Sequence, residues 1–143
     1  MPRIRPKAIC VCRRGADVLV GRGYDRVKRE TYYCPPGGGI EFGERAADAV
    51  RREFREELDA ELTDVALLGV LENVFTYEDT PGHEIMFVFE GRLTDPALYA
   101  RDELLGVENG AEYVACWLPL DHFGPGGPPL YPEGLLDLLR AAR

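Results

Sequence analysis

The sequence predicts an α/β fold from three observations. Glu44 to Leu58 lacks Gly and Pro and is dominated by Ala, Glu, Arg and Leu, so it reads as a helix. Runs rich in branched and aromatic residues flank it on both sides, as strands do. An amphipathic segment, Glu133 to Arg143, closes the chain with Leu135, Leu136, Leu138 and Leu139 on one face. The chain has 143 residues, 45% hydrophobic and 29% charged. That balance fits a single domain, residues 1–143, with one sizeable core.

Before the helix, Lys7 to Arg13 and Val18 to Arg22 read as strands joined by a turn at Arg14, Gly15, Ala16 and Asp17, a hairpin signal. The loop from Gly23 to Glu30 carries Tyr24, Arg26, Lys28 and Arg29. These could meet an anionic or aromatic substrate, although charge runs mostly face water. A short β-prone run, Thr31 to Cys34, then delivers the chain into Pro35, Pro36, Gly37, Gly38 and Gly39.

After the helix, Val65 to Tyr77 (VALLGVLENVFTY) reads as a strand with a bulge at Gly69. A turn over Glu78 to Gly82 leads through His83 and Glu84 to a strand from Ile85 to Leu93, which makes a long antiparallel hairpin. Phe75 and Tyr77 share one face of the first run, and Phe87 and Phe89 share one face of the second. One pair can line a cleft, where an aromatic stacks on a base, if the other fills the core. Thr94 to Gly110 is mostly polar, with a short helical stretch near Pro96 to Arg101. A last strand runs from Ala111 to Leu118, and Phe123 to Pro132 is a Gly- and Pro-rich loop.

Gly38 to Ala60 holds seven acidic side chains and four arginines in 23 residues. At about 100° per residue, Ala46, Ala47, Val50, Phe54 and Leu58 form an apolar arc roughly 120° wide. Asp48, Arg51 and Arg55 lie opposite. Glu57 falls inside the arc, Glu53 just beyond its edge and Glu56 next to Glu53. Carboxylates spaced i, i+3 and i+4 beside a buried stripe repel one another and lose solvation unless a positive partner is present. Salt bridging is the ordinary outcome, and Arg52 can pair with Glu56. Glu53 and Glu57 are left with no evident partner on the helix, which points to a divalent cation. Oxygen-only ligands favour Mg²⁺ or Mn²⁺ over zinc. The glycines ahead of the helix permit positive φ and close approach of backbone to a ligand. Such a loop offers N–H groups to phosphate or carbonyls to metal.

Composition narrows the partners. Asp plus Glu at 25 against Lys plus Arg at 17 leaves a net charge of −8, which argues against nucleic-acid binding. A small phosphorylated substrate is still allowed, since a bound cation reverses the local potential. No apolar run is long enough to span a membrane and MPRIRPKAIC lacks the stretch of a secretory signal, so a cytoplasmic chain with no membrane partner is expected. A homodimer is compatible with this composition. Cys10, Cys12, Cys34 and Cys116 contain no C-x2-C pair and read as reduced thiols in or near the core. His83 and His122 sit beside turns and read as solvated.

The pattern G-x5-E-x7-R-E-U-x-E-E-x-G-U, with U a bulky apolar residue, is the Nudix box. Gly38 to Ala60 resembles it at Gly38, Glu44, Arg52, Glu53, Phe54, Glu56 and Glu57. Asp59 stands where the family has glycine, and Ala60 is small for the final apolar place. Asp tolerates the left-handed conformation better than most residues, so a local adjustment after the helix is expected.

The resemblance implies an α/β/α sandwich with a mixed sheet between helices, and an enzyme that cuts a pyrophosphate bond in a nucleoside diphosphate linked to another moiety. It implies Mg²⁺ or Mn²⁺ held by Glu53, Glu56, Glu57 and a backbone carbonyl near Gly38, which would neutralise phosphates and activate the attacking water. It also implies that Glu44 pairs with Arg52 to orient loop and helix, in competition with the pairing of Arg52 to Glu56. The general base is Glu53 or a carboxylate from elsewhere, among Glu84, Glu103, Glu108 and Glu112. Tyr77 lies about where some dinucleoside-polyphosphate hydrolases of the family carry a tyrosine, so Tyr77 and Arg26 are the substrate-binding candidates. A module of the same fold that binds or senses a nucleotide without cleaving it is the competing reading. The three retained acids weigh against it.

Overall fold

The computed structural model describes residues 2–142, and its architecture follows from one strand buried on both faces. Strand β1 (Arg5–Arg14) carries the run Ala8 to Cys12, every residue of which is buried. Ala8, Cys10 and Cys12 pack on one side with Val50 and Phe54 of helix α1 (Ala46–Leu58). Ile9 and Val11 pack on the other with Leu135 and Leu139 of helix α3 (Leu135–Ala141). A period of two along the strand therefore feeds two separate cores, and a continuous apolar run is what such a strand requires. The result is an α/β/α sandwich.

The remaining elements are β2 (Asp17–Asp25), β3 (Glu30–Cys34), β4 (Gly37–Gly39), β5 (Leu62–Tyr77), β6 (Thr80–Leu93), α2 (Pro96–Tyr99), β7 (Glu103–Glu108) and β8 (Ala111–Pro119). The main path of the sheet runs β5-β6-β1-β2-β8-β7, with β3 on β2 and β4 on β1. Strand β1 lies parallel to β6 and antiparallel to β2 and β4, so the sheet is mixed. Strands β1 and β2 pair only beside their turn, at Arg13 with Val18 and Arg14 with Asp17. Further along they part: β1 continues with β6 and β4, and β2 continues with β8 and β3. The sheet opens there into two half-sheets with a wedge between them.

Several elements differ from the sequence expectation. Gly37 to Gly39, expected as a loop, forms β4 against Lys7 to Ile9. Gly37 has φ 155°, and any Cβ there would strike the Ala8 carbonyl, so only glycine lets the chain lie this close to β1. Glu103 to Glu108, included in a polar stretch, is the edge strand β7 paired with β8. Its pattern is legible only with that partner, since Leu104 and Gly106 are buried while Leu105 and Val107 face solvent. The turn expected over Glu78 to Gly82 is just Glu78 and Asp79, with φ of 49° and 67°, and Pro81 and Gly82 already belong to β6. This is the twisted two-residue turn that suits a hairpin. A register shift at Leu67 and Gly69 marks the bulge expected at Gly69. The closing helix is shorter than expected, starting at Leu135, and Arg143 lies outside the described residues.

All four cysteines are free, three buried and Cys34 partly so. His122 is exposed and meets Tyr33 and Phe123 edge-on. His83 is not solvated as expected. It is half-buried and its Nε2 has no hydrogen-bond partner. Among the described residues, no helix is long and apolar enough to cross a membrane.

Candidate active site

Helix α1 presents its acids as the wheel arranges them. Glu57 is 7% exposed, Glu53 is partly covered and Glu56 is open. Asp59 ends the helix in the left-handed conformation (φ 51°, ψ 43°), with its N–H donating to the Arg55 carbonyl. Aspartate thus performs the local adjustment that glycine usually makes. Arg51 and Arg55 turn outward to Asp48 and Glu61.

Arg52 makes both pairings the sequence left open. Its Nε and Nη2 donate to the two oxygens of Glu44 at 2.8 and 2.9 Å. Its Nη1 donates to Glu53 at 3.0 Å and Glu56 at 3.2 Å, and Nη2 also reaches the Gly39 carbonyl at 3.0 Å. One planar guanidinium therefore ties β4, the loop before α1 and two helix acids together, which a lysine could not do. The Arg52 guanidinium holds the Glu44 carboxyl below the usual glutamate range. Glu53, expected to lack a partner on the helix, has one in its immediate neighbour Arg52.

Glu57 has a different environment. The Tyr113 hydroxyl of β8 donates to it at 2.9 Å, and among the described residues no ion pair reaches it. Burial first, then hydrogen bonding with the Glu53 carboxyl and the charge of Glu108, push Glu57 up to about 9. The Tyr113 hydroxyl pulls the other way. Gly38 lies directly against the Glu53 carboxyl, where any Cβ would collide with it. A glycine backbone, the Glu53 carboxyl and a buried Glu57 thus come together as oxygen donors, and a hard divalent cation is the partner that would favour the ionised form of Glu57 there. Among the described residues no three acidic, thiol or imidazole side chains converge as a preformed cluster. Glu56 is turned to Arg52 and would have to leave it to join.

Glu57 also lines a cavity of about 400 Å³ in the wedge between the half-sheets. Lys7, Glu84, Asn73, Phe75 and Tyr77 come from one half-sheet. Arg22, Asp25, Tyr32, Glu108 and Tyr113 come from the other. Of the two aromatic pairs, Phe75 and Tyr77 line the cavity, while Phe89 is buried and Phe87 packs against the α1 core. Tyr32 meets Tyr77 edge-on at 6.0 Å and Tyr131 at 5.8 Å. Glu84 is 8% exposed and paired with Lys7 at 3.3 Å.

Arg26 is not brought to the cavity. Its guanidinium grips Glu78 at 2.9 and 3.2 Å on the outside, and Lys28 and Arg22 line the wall instead. Glu103 and Glu112 are exposed and lie off the cavity, whereas Glu84 and Glu108 line it. Sequence reasoning missed Tyr113 and Lys7 as site residues. No local signal marks either, since each acts on a residue 56 or 77 positions away.

A mixed sheet between helices, with a glycine strand and a carboxylate helix meeting beside a cleft, is the architecture of a Nudix domain. The NUDIX domain family model matches residues 3–137, and the chain belongs to the Nudix hydrolase family. A MutT Nudix hydrolase from Burkholderia pseudomallei superposes over 96% of this chain and 97% of its own, at 22% identity and a TM-score of 0.68. A UDP-X diphosphatase superposes over 100% of this chain and 66% of its own (17% identity, TM-score 0.67). An ADP compounds hydrolase does so over 99% and 74% (18% identity, TM-score 0.64). At these identities the likeness is one of fold.

Proposed function

We propose that this chain hydrolyses a pyrophosphate bond in a nucleoside diphosphate linked to another moiety, with Mg²⁺ or Mn²⁺ as cofactor. The observation that carries this reading is Glu57: a buried carboxyl that no ion pair reaches among the described residues, on the wall of a cavity that Tyr32, Phe75, Tyr77 and Tyr131 also line. Solved relatives of the same fold are named for UDP-X and ADP compounds, which supports a nucleotide-type substrate.

In this reading Glu53, Glu56 and Glu57, with backbone at Gly38, hold the cation, which when bound neutralises phosphate charge and acidifies a water. Glu44 and Arg52 fix the glycine strand against the helix and keep Glu53 aimed at Gly38. Tyr113 orients Glu57 through its hydroxyl. Lys7, Arg22 and Lys28 offset the negative charge of the substrate, and Tyr32, Phe75, Tyr77 and Tyr131 provide apolar surface for a base. The general base comes from Glu53, beside the glycine strand, or from Glu84 or Glu108 on the cavity wall, and not from Glu103 or Glu112, which are exposed away from both.

The test is turnover of a panel of nucleoside diphosphate derivatives with Mg²⁺, for the wild type and for Glu57→Gln. We expect Glu57→Gln to remain folded and lose about a hundredfold or more in kcat/KM. Near wild-type turnover and Mg²⁺ affinity in the folded variant would show that the site is misassigned. Saturable nucleotide binding without released product from the wild type would instead identify a sensor module.

A further inference from the structure

The β2–β3 turn and the β5–β6 turn belong to different half-sheets, yet they are fastened to one another. Asp25, at the end of β2, is 3% exposed. Its Oδ1 accepts the N–H groups of Val27 and Lys28, both at 2.9 Å. Its Oδ2 accepts the N–H of Glu78, 53 residues away, at 3.1 Å. The first two bonds are local and belong to an ordinary Asx turn. The third crosses between half-sheets. Glu78 reciprocates, its carboxylate accepting from the Arg26 N–H at 3.1 Å and from the Arg26 guanidinium. The Lys28 ammonium adds a bond to the Thr76 carbonyl at 2.6 Å.

This fastening has a neighbour with a function. Tyr77 precedes Glu78, its ring meets Tyr32 of the opposite half-sheet, and its hydroxyl donates to the Tyr24 carbonyl at 3.4 Å. Asp25, Lys28, Tyr32 and Tyr77 all line the same cavity. We propose that Asp25 is a positioning residue for nucleotide binding: by accepting the Glu78 N–H it holds Tyr77 at a set distance from Tyr32. That bond, with the Arg26–Glu78 and Lys28–Thr76 contacts beside it, sets the spacing of the Tyr32 and Tyr77 walls of the cleft. This inference rests on the nucleotide reading of the cleft, and it concerns the turns beside Tyr32 and Tyr77, not the helix that carries Glu53 and Glu57.

Asp25→Asn separates the two kinds of bond. Asparagine keeps one oxygen, enough for the local turn, while its amide N–H₂ cannot accept the Glu78 N–H. Calorimetric titration with Mg²⁺ and α,β-methylene-ADP, and in parallel with methylenediphosphonate, reads the consequence. The expected result is about a tenfold rise in the nucleotide Kd, an unchanged diphosphonate Kd, and faster hydrogen exchange at the Glu78 N–H. Glu78→Gln, which leaves the Glu78 N–H bonded to Asp25 and weakens only the Arg26 pairing, should raise the nucleotide Kd less than Asp25→Asn. Asp25→Ser, whose single hydroxyl oxygen serves the local turn, stands in if Asp25→Asn does not fold. An unchanged nucleotide Kd, or equal losses for both ligands, would overturn the positioning role alone. Failure of the wild type to bind α,β-methylene-ADP would overturn the nucleotide reading together with it.

Discussion

Gly38→Ala and Gly37→Ala, adjacent substitutions of one methyl each, should fail in different ways. At Gly38 the new Cβ would lie 2.6 and 2.7 Å from the two Glu53 oxygens, and ordinary contact begins near 3.4 Å. The carboxyl carbon lies nearer still, so the Glu53 carboxyl must retreat by about 1 Å, and as the end of a flexible side chain it can do so. A displacement of about 1 Å in a reacting assembly costs on the order of a hundredfold in rate. Gly38→Ala should thus lose between tenfold and a hundredfold in kcat while its melting temperature stays within a few degrees of wild type. At Gly37 the Cβ strikes the backbone of Ala8 and Ile9, with φ at 155°. Backbone cannot retreat cheaply, so Gly37→Ala should cost about 2 kcal/mol or more, roughly 6 °C in Tm. Thermal melts and steady-state kinetics on the substrate found in the panel make the comparison. Full activity in Gly38→Ala would show that Glu53 need not sit against this glycine. Equal Tm losses in both variants would refute the distinction between side-chain and backbone contact.

Three further outcomes are expected. Tyr113→Phe removes the hydroxyl that orients Glu57 and should weaken Mg²⁺ affinity about tenfold, measured by calorimetry, with little change in fold. Phe54→Ala empties the centre of the α1 core, where Phe54 is fully buried, and should cost about 3–5 kcal/mol in urea unfolding. The Glu44 carboxyl, whose ordinary value is 4.5, is lowered by Arg52. Its contribution to stability is therefore complete above that value and lost as pH falls below it toward the lowered one. Glu44→Gln should flatten the stability profile across that acidic window, and an unchanged slope would mean that the pair does not survive in solution.

What the sequence determined by itself was local. The helix, expected from Glu44 and observed from Ala46 to Leu58, the placement of Glu53, Glu56 and Glu57 around it, the left-handed Asp59 and the bulge at Gly69 all follow from spacing, propensity and steric allowance. The Nudix resemblance of Gly38 to Ala60 carried the fold class for the same reason, since its residues act within one continuous stretch, from the end of β4 through the loop to α1.

Contacts across the fold were decided elsewhere. The strand at Glu103–Glu108 shows its alternation only beside β8, and Gly37–Gly39 becomes a strand only because β1 presents Lys7 to Ile9 to it. The sequence offered Arg26 as a ligand for substrate, but Glu78 on a distant turn takes its guanidinium. Tyr113 reaches Glu57, Lys7 reaches Glu84 and Asp25 reaches Glu78 by the same kind of long-range meeting. The cleft itself exists because β1 and β2 pair for two residues and then part, each drawn off by other strands. A chain's own pattern records which face of each element is apolar. Which faces meet, and where a sheet opens, depends on how all the elements satisfy their hydrogen bonds and bury those faces together.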